Sequence, residues 1–325
     1  MAINRRDALA MMAALAAVPA QAQAQTAYPT RPVRVVVPFA PGGPADIVGR
    51  IVSQYLTEIL GQSFYVDNRV GAGSVLGVEA VVKSAPDGYN LLFSSNTAFS
   101  VIPAIKKNLS FDVKRDIAVV SPVAQGPQAL VVRSSLGVNS VAELIQRAKR
   151  EPGKMTIASS GPGTIIHFAG ELFKYHAGVS IVHVPYRGGG PAVLGMLAGD
   201  VDMMLNDLSP MLEHINSGKL KALAVASEKR SAAIPNTPTF AEAGLPQVVT
   251  SSWFCIGAPA GTPPETIKTL SAAVSRVLQM PAYRKRMEDI GLEPFELSPA
   301  DATAFISREL DKWVNLVAAA KIEVE

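Results

Sequence analysis

Short runs dense in β-branched residues alternate along this chain with longer stretches whose apolar positions recur every three to four residues. Val33-Arg34-Val35-Val36 is the first such run. After Pro44, apolar residues fall at Ile47, Val48, Ile51, Val52, Tyr55, Leu56, Ile59 and Leu60, one broad face of a helix that Gly61 would stop. The pattern predicts further strands at Phe64–Val66, Tyr89–Phe93, Val119–Val123, Leu130–Val132 and Met155–Ala158. Others follow at Ile181–Val184, Val201–Leu205, Leu223–Ala226 and Phe254–Ala258. Helical spacing separates them near residues 74–83, 140–149, 164–176, 264–279 and 299–319. Ser140 followed three residues later by Glu143 is a capping-box start, and Pro263-Pro264 and Ser298-Pro299 are helix openers. This alternation is the signature of an α/β fold.

One phrase is written twice at such a strand-to-helix junction. Val37-Pro38-Phe39-Ala40-Pro41-Gly42-Gly43-Pro44-Ala45 returns as Val184-Pro185-Tyr186-Arg187-Gly188-Gly189-Gly190-Pro191-Ala192. Each copy reads as strand, glycine turn, helix start. Glycine permits positive φ and close approach of a ligand, and a helix N-terminus offers unpaired N–H groups and partial positive charge. Two such devices far apart in sequence predict two lobes clasping one small anion. The chain has two candidate crossings between lobes, Gly126-Pro127-Gln128 and the segment from Gly244 to Ser252. The expected division is lobe 1 over residues 28–127 and 250–325, interrupted by lobe 2 over residues 128–249.

Composition narrows the class. The 325 residues are 48% hydrophobic and 18% charged with a net charge of +3, ordinary for a globular protein of about two domains. No long Lys/Arg run marks a nucleic-acid partner, and the short group Arg147-Ala148-Lys149-Arg150 lies in a helical pattern as a solvated face. Arg5-Arg6, the apolar stretch from Ala8 to Ala17 and the small-residue run Ala20-Gln21-Ala22-Gln23-Ala24 read together as an export signal over residues 1–24. The apolar stretch is shorter than the ~20 residues that span a bilayer. Cleavage is expected after Ala24, with Ala22 as the alternative. The arginine pair resembles a twin-arginine signal, while Asp7 and Ala8 depart from it, so Sec export stays open. The one cysteine, Cys255, excludes an internal disulfide and sits in an apolar run as a buried structural thiol.

Catalytic and cofactor motifs are missing. Gly71-Ala72-Gly73 lacks the third glycine of a dinucleotide fingerprint, neither glycine phrase continues into Lys-Ser or Lys-Thr, and Gly-x-Ser-x-Gly does not occur. His167 and Glu171 share a helix face, but a metal site needs more ligands. No cofactor and no metal are therefore expected.

A third loop, Ser159-Ser160-Gly161-Pro162-Gly163-Thr164, also follows a strand and opens the helix carrying His167. Its hydroxyls and N–H groups can hold a carboxylate without a formal cation, or serve as an ordinary N-cap, or both. In open α/β sheets the ligand crevice lies at such strand ends. Asp46 fits the first turn of its helix, and equally an acceptor for a ligand amine, hydroxyl or water. Asn96 and Thr97 end one strand and Asn206-Asp207 another, each either a turn or a ligand contact. Phe39 and Tyr186 hold matching positions in the two phrases and can wall a pocket. A helix terminus contributes about 0.3–1 kcal/mol per charge, up to ~2 when partly buried. Micromolar binding needs about 8 kcal/mol. Extra hydrogen bonds from Ser159, Thr164 and Asn96, and a closing cleft, are needed to make up the difference.

Taken together, these residues resemble one family. Pro38-Phe39-Ala40-Pro41-Gly42-Gly43 with Asp46 and Arg50 is similar to the opening motif of the tripartite tricarboxylate transporter receptors, or Bug proteins. Asn68-Arg69-Val70-Gly71-Ala72-Gly73, Pro86-Asp87-Gly88-Tyr89 and Ser160-Gly161-Pro162-Gly163-Thr164 with His167 continue the likeness. So do Pro185-Tyr186-Arg187-Gly188 and Ala258-Pro259-Ala260-Gly261-Thr262-Pro263, so the match runs in order through essentially the whole chain beyond residue 24. The resemblance implies a periplasmic solute-binding protein with the two-lobed type II binding-protein fold. It also implies a carboxylated ligand held by backbone amides, hydroxyls and water, and partners in a large and a small membrane component. Carried over residue by residue, Phe39, Ala40, Gly42, Gly43 and Asp46 would line one side of the cleft. Ser159, Ser160, Gly163, Thr164 and His167 would line the other, with Tyr186 and Asp207 nearby. Arg187 stands where the family pattern more often has Lys.

The leading expectation is a monomeric receptor that captures a small carboxylate by cleft closure for uptake. A ligand-dependent sensor subunit would use the same pocket with a different partner. An exported α/β hydrolase using His167 with Asp46 or Asp207 lacks a nucleophile or metal motif.

Overall fold

The structure, a computed structural model, describes residues 28–106 and 108–320. The expected export segment, residues 1–24, lies outside the described residues. In chain order the strands are β1 (Val33–Val37), β2 (Phe64–Asn68), β3 (Asn90–Ser95), β4 (Ile117–Arg133), β5 (Thr156–Ser159), β6 (Val182–Pro185), β7 (Met203–Asp207), β8 (Leu220–Val225), β9 (Ser251–Pro259) and β10 (Glu293–Pro294). The longer helices are α1 (Pro44–Leu60), α2 (Val75–Val82), α3 (Val141–Arg150), α4 (Ile165–Ala177), α5 (Gly189–Ala198), α6 (Pro264–Gln279), α7 (Pro281–Asp289) and α8 (Pro299–Ala320).

The strands form two sheets that share β4. In the first, β1 pairs in parallel with β2 and β3, and β9 lies antiparallel between β3 and the first half of β4. In the second, the far half of β4 lies antiparallel between β7 and β8, and β5 pairs in parallel with β7 and β6. Both faces of each sheet are covered, as the hydrophobic runs require. Along β1, Val33, Val35 and Val37 enter one core with α1 and α6, while Val36 enters another with α2 and Phe99. Along β4, Leu130 and Val132 face Phe173 and Leu144, while Ala129 and Val131 face Phe168 and Met196. Residues that alternate by two thus feed opposite layers.

Two expectations change here. Val119–Val123 and Leu130–Val132 are one strand of 17 residues, not two. Pro122 does not break it: it stays in register opposite Cys255, and the ladder with β9 shifts between Pro122 and Ala124, an irregularity of the kind at which a strand proline is tolerated. α7 went unread because its two buried apolar residues, Tyr283 and Met287, make a single helical repeat in a charged stretch. The capping box is half formed: Ser140 Oγ accepts from the Glu143 N–H, but the Glu143 carboxylate takes the N–H of Asn139.

β4 passes from the first sheet to the second around Gly126 and Pro127, and there it pairs with Ser252 and Ser251 of β9, the strand returning the other way. α8 reaches both halves. Ala302 and Ile306 pack with Phe99 and Trp253, whereas Trp313 packs tilted against Phe168 of α4, with 5.6 Å between ring centroids.

Candidate functional site

The first glycine phrase leaves β1 at Pro38. Gly42 turns the chain at φ +78°, a conformation that favours glycine, and Pro44 begins α1. The turn is held from within. Asp46, 3% exposed, accepts from the Gly42 N–H at 2.9 Å, from Asn68 Nδ2 at 2.9 Å and from Arg50 Nε at 3.0 Å. Asn68 also donates to the Phe39 carbonyl. Burial alone would raise the Asp46 pKa, but the hydrogen bonds from Arg50, Gly42 and Asn68 outweigh it and hold the carboxyl below its usual range.

The second phrase meets the first backbone to backbone. A Cβ on Gly190 would lie 2.5 Å from the Pro41 carbonyl oxygen, and one on Gly189 would lie 2.9 Å from Pro44 Cδ. Gly188, at φ +139°, packs on Ala40 with only 3.1 Å between the same ideal Cβ and the Ala40 nitrogen. Any side chain at Gly190 would hold the two turns apart. The starts of α1 and α5 thereby converge on one narrow cleft of about 20 Å³, with Gly43 and Gly189 in its wall. Ser95, Thr97, Ser160 and Asp207 supply its polar side chains, and Phe39, Ile165, Ile166 and Phe254 much of its apolar surface.

The third loop is held by its own hydroxyls. Thr164 caps α4 by accepting from the His167 N–H, and donates to the Gly161 carbonyl at 2.8 Å. Ser160 Oγ donates to Thr164 Oγ1, and Ser159 Oγ accepts from the Gly161 N–H. Thr97 reaches across from the segment after β3 to accept from the Ile165 N–H at 3.1 Å. Ser159 also bonds His183 Nε2 at 2.6 Å, and the His183 ring stacks on His167 at 4.0 Å. His167 Nδ1 accepts from the Gly163 N–H, so that ring nitrogen carries no proton. Burial lowers the pKa of both rings; with the neighbouring His167 it brings His183 down to about 4.

At the end of β7, Asp207 is 2% exposed and its Oδ1 has no partner among the described residues. Both amide atoms of Asn206 and Oε1 of Gln128 share that condition. Burial pushes the Asp207 pKa up to about 7, against a partial offset from the Ser252 hydroxyl and its own backbone.

The model of the tripartite tricarboxylate transporter family receptor matches residues 48–322. The chain belongs to that family. BugT of Bordetella pertussis is 38% identical over 305 residues, spanning 94% of this chain and 93% of that protein. The structure of Rpa4515 of R. palustris with adipate superposes with a TM-score of 0.88 at 34% identity, covering 91% of this chain and 99% of that one. MatC of Rhodopseudomonas palustris with bound malate gives 0.85 at 30% identity, covering 89% and 100%. The protein is thus a solute-binding receptor of a tripartite transporter, with the two-lobed α/β fold of the periplasmic binding proteins. Family and neighbours are binding proteins rather than enzymes.

Within this receptor the expected site residues fall into three groups. Phe39, Gly43, Thr97, Ser160 and Asp207 come together around the inner cleft. Tyr186 lines an outer cleft of about 390 Å³ with Arg187 and Lys106, sharing Phe39 and Ser160 with the inner one. The rest serve the frame: Gly42 and Asp46 set the first turn, Ala40 packs on Gly188, and Asn96 Nδ2 donates to the Ser251 carbonyl. Ser159, Gly163, Thr164 and His167 bond one another or His183. Asp46 and His167 are not brought together as a hydrolase pair would be; each has other partners. Sequence reading missed Pro44, Ala45, Ser95, Ile165, Ile166, Gly189 and Phe254. Gly189 was already signalled by the repeated phrase and Ser95 by its neighbour Asn96, whereas nothing marks Phe254 within its buried run.

Proposed function

We propose that the receptor captures a small carboxylate in the inner cleft and closes over it before delivery to the transporter's membrane components. The ligand carboxylate lies at the starts of α1 and α5, with Ser160 and Thr97 completing its hydrogen bonds. The observation that carries this reading is the meeting of the two glycine turns, which brings two helix N-termini to one small cleft. Such a cleft offers N–H groups and hydroxyls rather than a cation, which suits a carboxylate stripped of water. The adipate and malate in the related receptors agree with it. Lobe 1 comprises residues 28–127 and 250–325 and lobe 2 residues 128–249, hinged where β4 and β9 cross. The site residues are those that line the cleft, backed by Asp46 and Thr164. The chain is exported to the periplasm on a signal ending at Ala24 and works as a monomer.

Thermal shift across mono-, di- and tricarboxylates, acidic amino acids and aromatic acids tests the reading. An acid at a hundred times its Kd should stabilise by about 2.7 kcal/mol. A flat response to every acid, with turnover of an ester or amide, would refute it.

A further inference from the structure

We propose that Asp207 enters the ligand complex protonated and donates its carboxyl hydrogen to a carboxylate oxygen of the ligand, so that binding takes up one proton. This rests on the carboxylate reading of the inner cleft. Asp207 lines that cleft, is 2% exposed, and has an Oδ1 with no partner among the described residues. The start of α5 adjoins it: a Cβ on Gly189 would lie 3.4 Å from Nδ2 of Asn206, the residue before it. A carboxylate drawn to the N–H groups at that helix start therefore arrives beside Asp207. Two ionised carboxylates in one water-poor cleft repel, and a single proton between them turns repulsion into a hydrogen bond.

Among the described residues, no charged group on the surrounding elements does that work instead. β4 sets Gln128 opposite Asp207 in register, β9 brings the Ser252 hydroxyl and β5 ends at Ser159, while α5 carries no ionisable side chain. On α4, burial disfavours the charged form of His167, and Glu171 is paired with Lys174. Asp46 is committed to Gly42, Arg50 and Asn68, and the cations Lys106 and Arg187 line the outer cleft. The raised pKa of Asp207, about 7, is the same desolvation seen without ligand. A neighbouring carboxylate pushes it further up.

The probes are adipate, malate and glutamate, titrated calorimetrically in two buffers of different ionisation enthalpy from about pH 6 to about pH 8.5. For adipate or malate, close to one proton should be taken up above neutral pH, with affinity falling about tenfold per pH unit there. Asp207→Asn should remove both the uptake and the slope, and bind more tightly than wild type at the alkaline end. Melting of the unliganded variant over the same range confirms that it folds. Binding of these acids without proton uptake overturns the proposal and leaves the carboxylate reading intact. Preference for glutamate, with affinity rising through pH 7, also overturns it, because an ammonium then pairs with ionised Asp207. Failure of all three probes and of the wider acid panel removes the carboxylate reading and this proposal with it.

Discussion

Two buried carboxylates, one in the wall of the inner cleft and one behind the turn at its edge, have opposite surroundings. Asp46, at the start of α1, accepts from a backbone N–H, an amide and a guanidinium, and is held ionised. Asp207, at the end of β7, has an oxygen with no partner and is held near neutrality. Their surface exposure is alike, at 3% and 2%, but Asp207 lies deeper in the protein, so desolvation bears harder on it. Donors widen the difference. An acid given its full set of donors becomes part of the frame, whereas one left short of them is free for a guest. The two glycine turns repeat the contrast: the first is shaped from inside by Asp46, and the second is shaped by what it meets.

The largest test of that contrast is Asp207→Asn without ligand. The folded pKa of about 7 lies above the ordinary 3.8, so stability is full below about pH 4 and declines as pH rises to 7. Asn carries no such penalty. The variant should match wild type near pH 3 and exceed it by roughly 4 kcal/mol above pH 8, read from urea melts. A constant difference across pH would erase the distinction between the two acids.

Asp46→Ala should cost about 2–3 kcal/mol at neutral pH, mostly from the stranded Gly42 N–H and Asn68 amide. Arg50 is 53% exposed, so solvent screens its share of the ion pair. The Asp46 pKa is lowered, so its contribution is present above pH 3.8 and is lost as pH falls through the folded value. The same melts check both the size and the sign.

Gly190→Ala separates closure from folding. Its Cβ would meet the Pro41 carbonyl at 2.5 Å, a clash that opening the cleft relieves. The unliganded melting temperature should hold, while affinity for the best acid of the panel falls at least tenfold, about 1.4 kcal/mol. Small-angle scattering should show that the acid no longer compacts the variant. Gly42→Ala, by contrast, strains its own turn at φ +78° and should destabilise the free protein by about 1 kcal/mol. Smallest is Thr97→Val, which leaves the Ile165 N–H without its acceptor across the cleft. About 1 kcal/mol of the closed form should be lost, seen as weaker binding with little change in the free protein.

Much of the frame is readable from short-range pattern. The valines of β1 alternate between two cores, α1 runs from Pro44 to the Gly61 stop as its spacing predicts, and Ser140 caps α3. α7 escaped because one pair, Tyr283 and Met287, carries its whole apolar face. The site was less legible. Thr164 reads as both a cap and a ligand group, and its hydroxyl is engaged with Gly161 and the His167 N–H. Phe254 enters the cleft wall from a strand in which its immediate neighbours, Trp253 and Cys255, are buried and apolar too.

What could be known before folding is what a few consecutive residues impose: strand and helix periods, the glycine that a positive φ favours, the proline that starts a helix, and a family likeness spread through these motifs. The encounter of Gly42 and Gly43 with Gly189 and Gly190, and the different fates of Asp46 and Asp207, arise only from long-range packing. A side chain's protonation and purpose follow from how deeply it is buried and which donors reach it. Those donors come from Asn68 and Arg50 for one acid, and fail to come for the other, because of where distant strands place the chain.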